Sequence, residues 1–348
     1  VAPRRGIPLR TERLTVRRFT RDDITRFTAY RNLPAVWTYQ DWTVPYTRDH
    51  AHDLLDELES LRGPTPGAWV QLALDDGTGL VGDIAVWISP DGGLGMIGYT
   101  LDPAVQGRGY ATEAVGAVVG LLFDRYRVHR VAATLDPANT PSARVLERLG
   151  FRYEGRSVRA ALVRGRWEDD DRYAVLDDEY RAWCDRPRHA PAMVELVEVT
   201  ADNVRSVLAL ETHPSQRRFV ASVAESLADA LVPPIEHGAP VVPWYRAVAA
   251  DGELAGFVML AAASPAQPVP MLWRLLIDRR HQGRGIGATV IERVAEHVRA
   301  LGATRLHTSW EEGPGGPAGF YERLGFVRTG EVIDGETVGE LRLSSPDR

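Results

Sequence analysis

Apolar and polar residues alternate over residues 12–19, with Leu14 and Val16 on one face, so the chain opens on a strand. The period then lengthens to that of a helix. Asp22 is placed to cap one helical stretch, and residues 47–61 carry Leu54, Leu55, Leu58 and Leu61 at helical spacing. Between them, Trp37-Thr38-Tyr39-Gln40-Asp41-Trp42 puts three aromatic rings in a loop, suited either to line a pocket or to plug the end of a core. Residues 68–74 and 80–88 read as a hairpin about Asp75-Asp76-Gly77, where Asp-Gly supplies the positive φ of a tight turn. A strand over 95–101, an almost wholly apolar helix over 111–126, a strand over 130–135 and a short helix over 142–149 closed by Gly150 follow. Strands over 151–156, 158–163 and 167–176 complete a sheet.

A polar stretch with two prolines comes next, and then the pattern restarts. A strand over 194–199 leads to helices over 202–211 and 219–230, a hairpin of 244–250 and 254–262 about Asp251-Gly252, and a strand over 271–277. A helix over 288–301, a strand over 305–309, a helix over 318–324 closed by Gly325, and strands over 326–329 and 337–343 end the chain. The same order of elements in both halves predicts two tandem domains, 1–184 and 193–348, joined by a linker over 185–192. A length of 348 residues suits two cores.

Composition narrows the function classes. A hydrophobic fraction of 44% with 25% charged residues is that of a folded globular protein, not a disordered one. The net charge of −6 argues against a nucleic-acid partner for the whole chain. No apolar run reaches membrane-spanning length, and the first residues lack the apolar core of a signal peptide, so a cytoplasmic protein without a membrane partner is expected. The single cysteine, Cys184, reads as a buried or linker thiol, and no Cys/His cluster has metal-ligand spacing, so no metal is expected.

Two glycine-rich turns carry the chemistry. Gln106-Gly107-Arg108-Gly109-Tyr110-Ala111 and Gln282-Gly283-Arg284-Gly285-Ile286-Gly287 each follow a strand and open a helix. Such a turn leaves backbone N–H groups unpaired at the positive end of the helix dipole, which makes it a phosphate cradle, with Arg108 and Arg284 placed to screen charge. At matching distance downstream stand Leu146-Glu147-Arg148-Leu149-Gly150-Phe151 and Tyr321-Glu322-Arg323-Leu324-Gly325-Phe326. One Gly-x-Gly is a weak signal; two coupled motifs in both halves are a strong one. The turns lack the Lys-Ser/Thr of a nucleotide triphosphate loop.

At these residues the chain resembles the GNAT superfamily of acetyl-CoA-dependent N-acetyltransferases. Its acyl-CoA motif, Arg/Gln-x-x-Gly-x-Gly/Ala, is matched by Gln106, Gly109 and Ala111 and again by Gln282, Gly285 and Gly287. The resemblance implies two tandem α/β folds of the α+β kind, each a mixed, mostly antiparallel sheet flanked by helices. It further implies that both turns, with residues Gly107, Arg108 and Tyr110 in the first and Gly283, Arg284 and Ile286 in the second, bind the cofactor pyrophosphate. The preceding strand splays from its neighbour, and backbone groups near Tyr99 and Leu101, or Leu275 and Ile277, pair with the pantetheine arm. The first half is similar to ribosomal-protein α-amino and aminoglycoside acetyltransferases through Asn139-Thr140-Pro141-Ser142 and Gly150-Phe151-Arg152-Tyr153, which assigns Asn139 and Ser142 to the cofactor and Ser142 to protonation of the thiolate. One departure is Met96, where that branch carries a glutamate. The second half is similar to diamine and polyamine acetyltransferases, and Tyr321 stands at the usual general acid. Its first-half counterpart is Leu146.

An amine with a pKa near ~10 must lose a proton before it reacts, for which a carboxylate is the usual acceptor. Glu253, Glu311 and Glu312 are candidates, while His129 and His281 read as structural. The expected function is acetyl transfer from acetyl-CoA to a primary amine of a small molecule, polyamine or aminoglycoside-like, in the carboxy-terminal domain. Catalysis by the amino-terminal domain on an aminoglycoside or a peptide α-amine is the alternative, and an acyl-CoA-binding module without turnover is the rival from another class.

Overall fold

The structure is a computed structural model that describes residues 6–343 except His237, Ala266 and Pro314. The chain divides into two units, Val1–Asp185 and Arg186–Arg348.

In the first unit β1 (Leu9–Arg10) and β2 (Thr15–Arg18) precede α1 (Ile24–Arg31), α2 (Pro34–Trp37) and α3 (Arg48–Leu58). Strands β3 (Trp69–Asp75), β4 (Leu80–Ile88) and β5 (Leu94–Leu101) form a meander, followed by α4 (Tyr110–Leu121), β6 (Arg130–Leu135), α5 (Thr140–Arg148), β7 (Arg152–Val163), β8 (Arg166–Leu176) and α6 (Asp177–Asp185). The sheet order is β1-β2-β3-β4-β5-β6-β8-β7, antiparallel except for β5 against β6. One apolar cluster packs α4 on one face of the sheet through Val115, Val118 and Val119. A second holds α1 and α3 through Phe27, Tyr30 and Leu55.

The second unit repeats the plan with β9 (Val194–Val197), α7 (Val204–Leu208), α8 (Val223–Leu231) and a small hairpin of β10 (Ile235–Glu236) and β11 (Ala239–Pro240). Then come β12 (Pro243–Ala250), β13 (Glu253–Ala261), β14 (Met271–Ile277), α9 (Ile286–Ala300), β15 (Arg305–Trp310), α10 (Ala318–Arg323), β16 (Val327–Ile333) and β17 (Glu336–Arg342). The order is β16-β17-β15-β14-β13-β12-β9, again with a single parallel pair, β14 against β15. Val290, Ile291 and Val294 of α9 pack on one face, and α7 and α8 cover the other through Val207 and Val223.

Several boundaries differ from expectation for local reasons. Thr20, not Asp22, starts the first helical turn: its backbone N–H donates to Asp23 Oδ2 at 2.8 Å in a capping box. The helix expected over 219–230 begins only at Val223, because Ser222 and Glu225 form another capping box. The stretch 202–211 shortens to α7, and the apolar helix after the first glycine turn ends in a π-turn, Leu122–Tyr126, stopped by Arg127 at φ 58. The two strands expected over 151–163 are one bulged strand, β7. Cys184 is exposed on α6, neither buried nor in the linker.

Candidate active site

The parallel pairs create the opening at each site. β5 bonds to β6 only from Leu94 to Met96, and β14 to β15 only at Met271 and Leu272. Beyond these points the strands diverge, so backbone groups of Tyr99 and Leu101, and of Leu275 and Ile277, face a gap instead of a ladder. The expected splay is present twice.

Each strand then enters its glycine turn by the same device. The side-chain amide of Gln106 donates back to Leu101 O at 3.2 Å, and that of Gln282 to Ile277 O at 3.0 Å. These glutamines shape the turn by capping the last strand carbonyl. Gly109 (φ 82) and Gly285 (φ 80) are the helix N-caps, left-handed and without a side-chain cap, so the first N–H groups of α4 and α9 are left to a ligand or water.

The second turn opens into a cavity of about 740 Å³. Gln282, Gly283, Gly285, Ile286 and Gly287 line one end, Leu275 and Ile277 the wall, and Tyr321, Thr308, Ser309 and Glu336 the other side. A Cβ built on Gly283 or Gly285 would meet nothing within 4 Å, whereas one on Gly287 would stand 3.1 Å from the Phe320 ring. The turn is thus open where an anion would approach and tight where the helix passes Phe320. Gln216 exchanges amide hydrogen bonds with Gln282 (2.8 and 3.2 Å), tying the segment before α8 to the turn.

Tyr321 projects from α10 into this cavity. Its ring stacks on Trp310 at 5.6 Å and meets Phe320 and Phe326 edge-on, so its position is fixed by three aromatic neighbours. Burial pushes its hydroxyl up to about 12, with Thr308 as a hydrogen-bond partner that works the other way and Glu336 adding to the rise. The hydroxyl is therefore protonated at neutral pH. Glu336, the first residue of β17, accepts a hydrogen bond from Ser309 Oγ at 2.5 Å. Sequence reasoning missed it, because only the β15–β17 pairing brings it beside Ser309. Of the carboxylates singled out by sequence, Glu312 is bound to Trp310 Nε1 (3.0 Å) and Arg328 (2.7 Å), and neither it, Glu253 nor Glu311 lines the cavity. Arg284 turns away too. Its guanidinium is buried, donates to His189 O at 2.9 Å and meets His281 Nδ1 at 2.8 Å, so only its backbone belongs to the turn. Burial holds the His281 imidazole below its ordinary pKa.

The first turn is furnished differently. Arg13 donates to Arg108 O (2.8 Å) and to Glu113 (2.7 Å), and its guanidinium lies 4.9 Å from the Tyr110 ring centroid. Arg108 itself folds back to Ala104 O, and Ala111 lies in the first turn of α4. Asn139 is the N-cap of α5, its side chain accepting from Ser142 N–H at 3.2 Å, while Ser142 O accepts from the Tyr99 hydroxyl at 2.8 Å. Leu146, at the place of Tyr321, is fully buried in the core. Of the aromatic loop, Trp42 covers the Arg31 guanidinium at 4.1 Å within the α1–α3 layer, and Trp37 is held by Arg164, which donates to the carbonyls of Trp37, Thr38 and Gln40. Among the described residues no His/Cys/Asp/Glu group could hold a metal ion, and no helix is long and apolar enough to cross a membrane.

Residues 13–152 match the family described as "Acetyltransferase (GNAT) domain", and residues 208–326 match "Acetyltransferase (GNAT) family". The chain is 40% identical over 104 residues to the probable N-acetyltransferase YjcK of Bacillus subtilis, an alignment covering 29% of this chain and 58% of that protein. It is 29% identical to the uncharacterized N-acetyltransferase p20 of Bacillus licheniformis, over 49% of this chain and 97% of p20. The spermine/spermidine N(1)-acetyltransferase of Bacillus subtilis aligns at 28% identity, over 42% of this chain and 95% of its own length. The chain thus spans little more than half the length of YjcK.

Proposed function

The chain belongs to the GNAT family, with two such domains in tandem, and from that premise we propose that the carboxy-terminal domain transfers acetyl from acetyl-CoA to a primary amine of a small molecule. One observation carries this reading: a single cavity brings together the glycine turn, the splayed end of β14, the protonated hydroxyl of Tyr321 and the carboxylate of Glu336.

The residues present fit the cofactor. The uncapped start of α9 with Gly283 and Gly285 suits the pyrophosphate, and the backbone of Leu275 and the N–H of Ile277, which have no β15 partner, suit the amide-bearing arm, the Ile277 carbonyl being taken by Gln282. When bound, acetyl-CoA supplies an acetyl thioester whose sulfur needs a proton as it leaves. The Tyr321 hydroxyl holds that proton. Glu336 takes the proton that an ammonium must shed, and Ser309 keeps its carboxylate aimed from the edge of β15. Over the cycle a C–N bond would replace a C–S bond, one proton of the ammonium would leave through Glu336 to solvent, and Tyr321 would give its proton to the departing sulfur and regain one from the newly acylated nitrogen as that nitrogen loses its positive charge.

Acetyl transfer to a panel of amines tests the reading. Tyr321→Phe is expected to lower kcat by about a hundredfold, the lower range for general acid catalysis. Unchanged turnover removes Tyr321 from the mechanism. Gly285→Trp is expected to abolish transfer and Gly109→Trp to spare it; the opposite result would give catalysis to the amino-terminal domain. With Leu146 in the core where Tyr321 stands in the other half, we read that domain as holding CoA without using it.

A further inference from the structure

The cavity is not built for a polycation. Its charged lining sets Arg217, Arg218 and Arg274 against the carboxylates of Glu225 and Glu336. Glu225 is already engaged, accepting from the backbone N–H (2.8 Å) and hydroxyl (2.7 Å) of Ser222 at the start of α8. A polyamine would bring several ammonium groups and find a single carboxylate, Glu336, free of a helix cap; Arg217 and Arg274 are paired with Glu211 and Asp229, but three arginines still line the cavity those ammonium groups would enter.

Arg274 points to a different ligand. It lies on the stretch of β14 that β15 leaves unpaired, beside Leu275. Its Nη1 donates to Trp273 O at 2.9 Å, its Nη2 donates to the Asp229 carboxylate at 3.4 Å in a long ion pair that a ligand carboxylate can replace, and its Nε is buried with no hydrogen-bond partner. The guanidinium rests 5.1 Å from the Trp273 ring centroid. Nε and Nη2 form the edge of a guanidinium that receives a carboxylate through two parallel hydrogen bonds. A buried donor without a partner is a deficit that a bound oxyanion removes. We propose that the acceptor carries a carboxylate beside its amine, held by Arg274 while Glu336 faces the ammonium, so that the substrate class is amino acids and similar zwitterions, not polyamines. This rests on the reading of the carboxy-terminal domain as an acetyltransferase. The oxyanion could otherwise be a cofactor phosphate, but Arg274 precedes Ile277 by three strand positions, about 10 Å at the usual rise, and the turn lies beyond that.

Amines that differ by one carboxylate separate these cases: lysine and cadaverine, ornithine and putrescine, tyrosine and tyramine. In the full-length protein, kcat/KM is expected to favour the carboxylate member of at least one pair by about tenfold or more, the scale of one charge-assisted bond. Arg274→Gln should bring that ratio within about threefold of unity, Arg274→Lys should retain part of it, and Kd for CoA should stay unchanged in both. Equal or better turnover of every decarboxylated member overturns the inference while leaving the acetyltransferase reading intact. A carboxylate preference that survives Arg274→Gln, or a loss of CoA affinity in that variant, overturns it in favour of another anchor or of the cofactor phosphates. If no pair is acetylated, calorimetry on the CoA-loaded protein decides: tighter binding of the amino acids upholds the charge requirement and sinks the reading, and no binding sinks both.

Discussion

At the scale of single residues, Tyr321 is the side chain with the most definite chemistry. Its pKa, pushed up to about 12 by burial, lies above the ordinary 10. Transfer should therefore rise with pH as the acceptor ammonium deprotonates, and Tyr321 should add no basic limb to the kcat/KM profile below pH 10. A limb near pH 9 that vanishes in Tyr321→Phe would contradict this. The same shift has a sign for stability. A raised pKa means the folded state keeps a proton that the unfolded state loses, so this contribution is full below pH 10 and is lost as pH rises toward 12. Denaturant midpoints of the wild type should fall more steeply over that window than those of Tyr321→Phe. Glu336→Gln should cut kcat by about a hundredfold or more, and Glu336→Asp should recover part of it. That Tyr321 lines the cavity was legible in the sequence because it sits inside a local motif beside Leu324-Gly325-Phe326. Glu336 and Arg274 were not, since a sheet pairing and a cavity wall that no local spacing announces bring them to the cavity.

At the scale of elements, the two strand–turn–helix units are the most legible part of the chain. Their apolar strands, paired glycines and long helices are local signals, and β14 falls on the expected residues. The short helices are less so. α7 and the start of α8 depend on caps and on what the neighbouring layer covers, so periodicity misjudged their lengths, and α2, a single turn begun by Pro34, was not expected at all. The glycine turn also yields a measurable cost. Gly285 has φ 80 with open space before it, so Gly285→Ala strains only the backbone and should destabilise the second domain by about 1–2 kcal/mol in denaturant titration. CoA affinity should fall less than in Gly285→Trp, because a methyl group leaves most of the cavity mouth clear. A loss of binding as complete as that of the tryptophan variant would mean that the turn's conformation, not its space, governs the site.

At the scale of the molecule, repetition permits a controlled comparison. Each of the four apolar clusters draws its residues from one unit only, so each unit buries its own core. Phe151 and Phe326 close the same motif in the two halves, both almost fully buried. Their surroundings differ: Phe151 packs in a cluster with Leu146, whereas Phe326 meets the Tyr321 ring at 5.5 Å. Either change to alanine should cost about 3–5 kcal/mol of the domain that contains it. Two calorimetric transitions are expected, one for each domain, and CoA at a hundred times a domain's Kd should raise that domain's transition by about 2.7 kcal/mol. Phe151→Ala should lower the first domain's transition and leave acetyl transfer near the wild-type rate. Phe326→Ala should lower the second domain's transition and also reduce kcat, because the Tyr321 hydroxyl loses one of the rings that fix it. If Phe151→Ala instead abolished transfer while the second transition stayed in place, the chemistry would belong to the first domain, and the shared motif would have been misread as an inert copy.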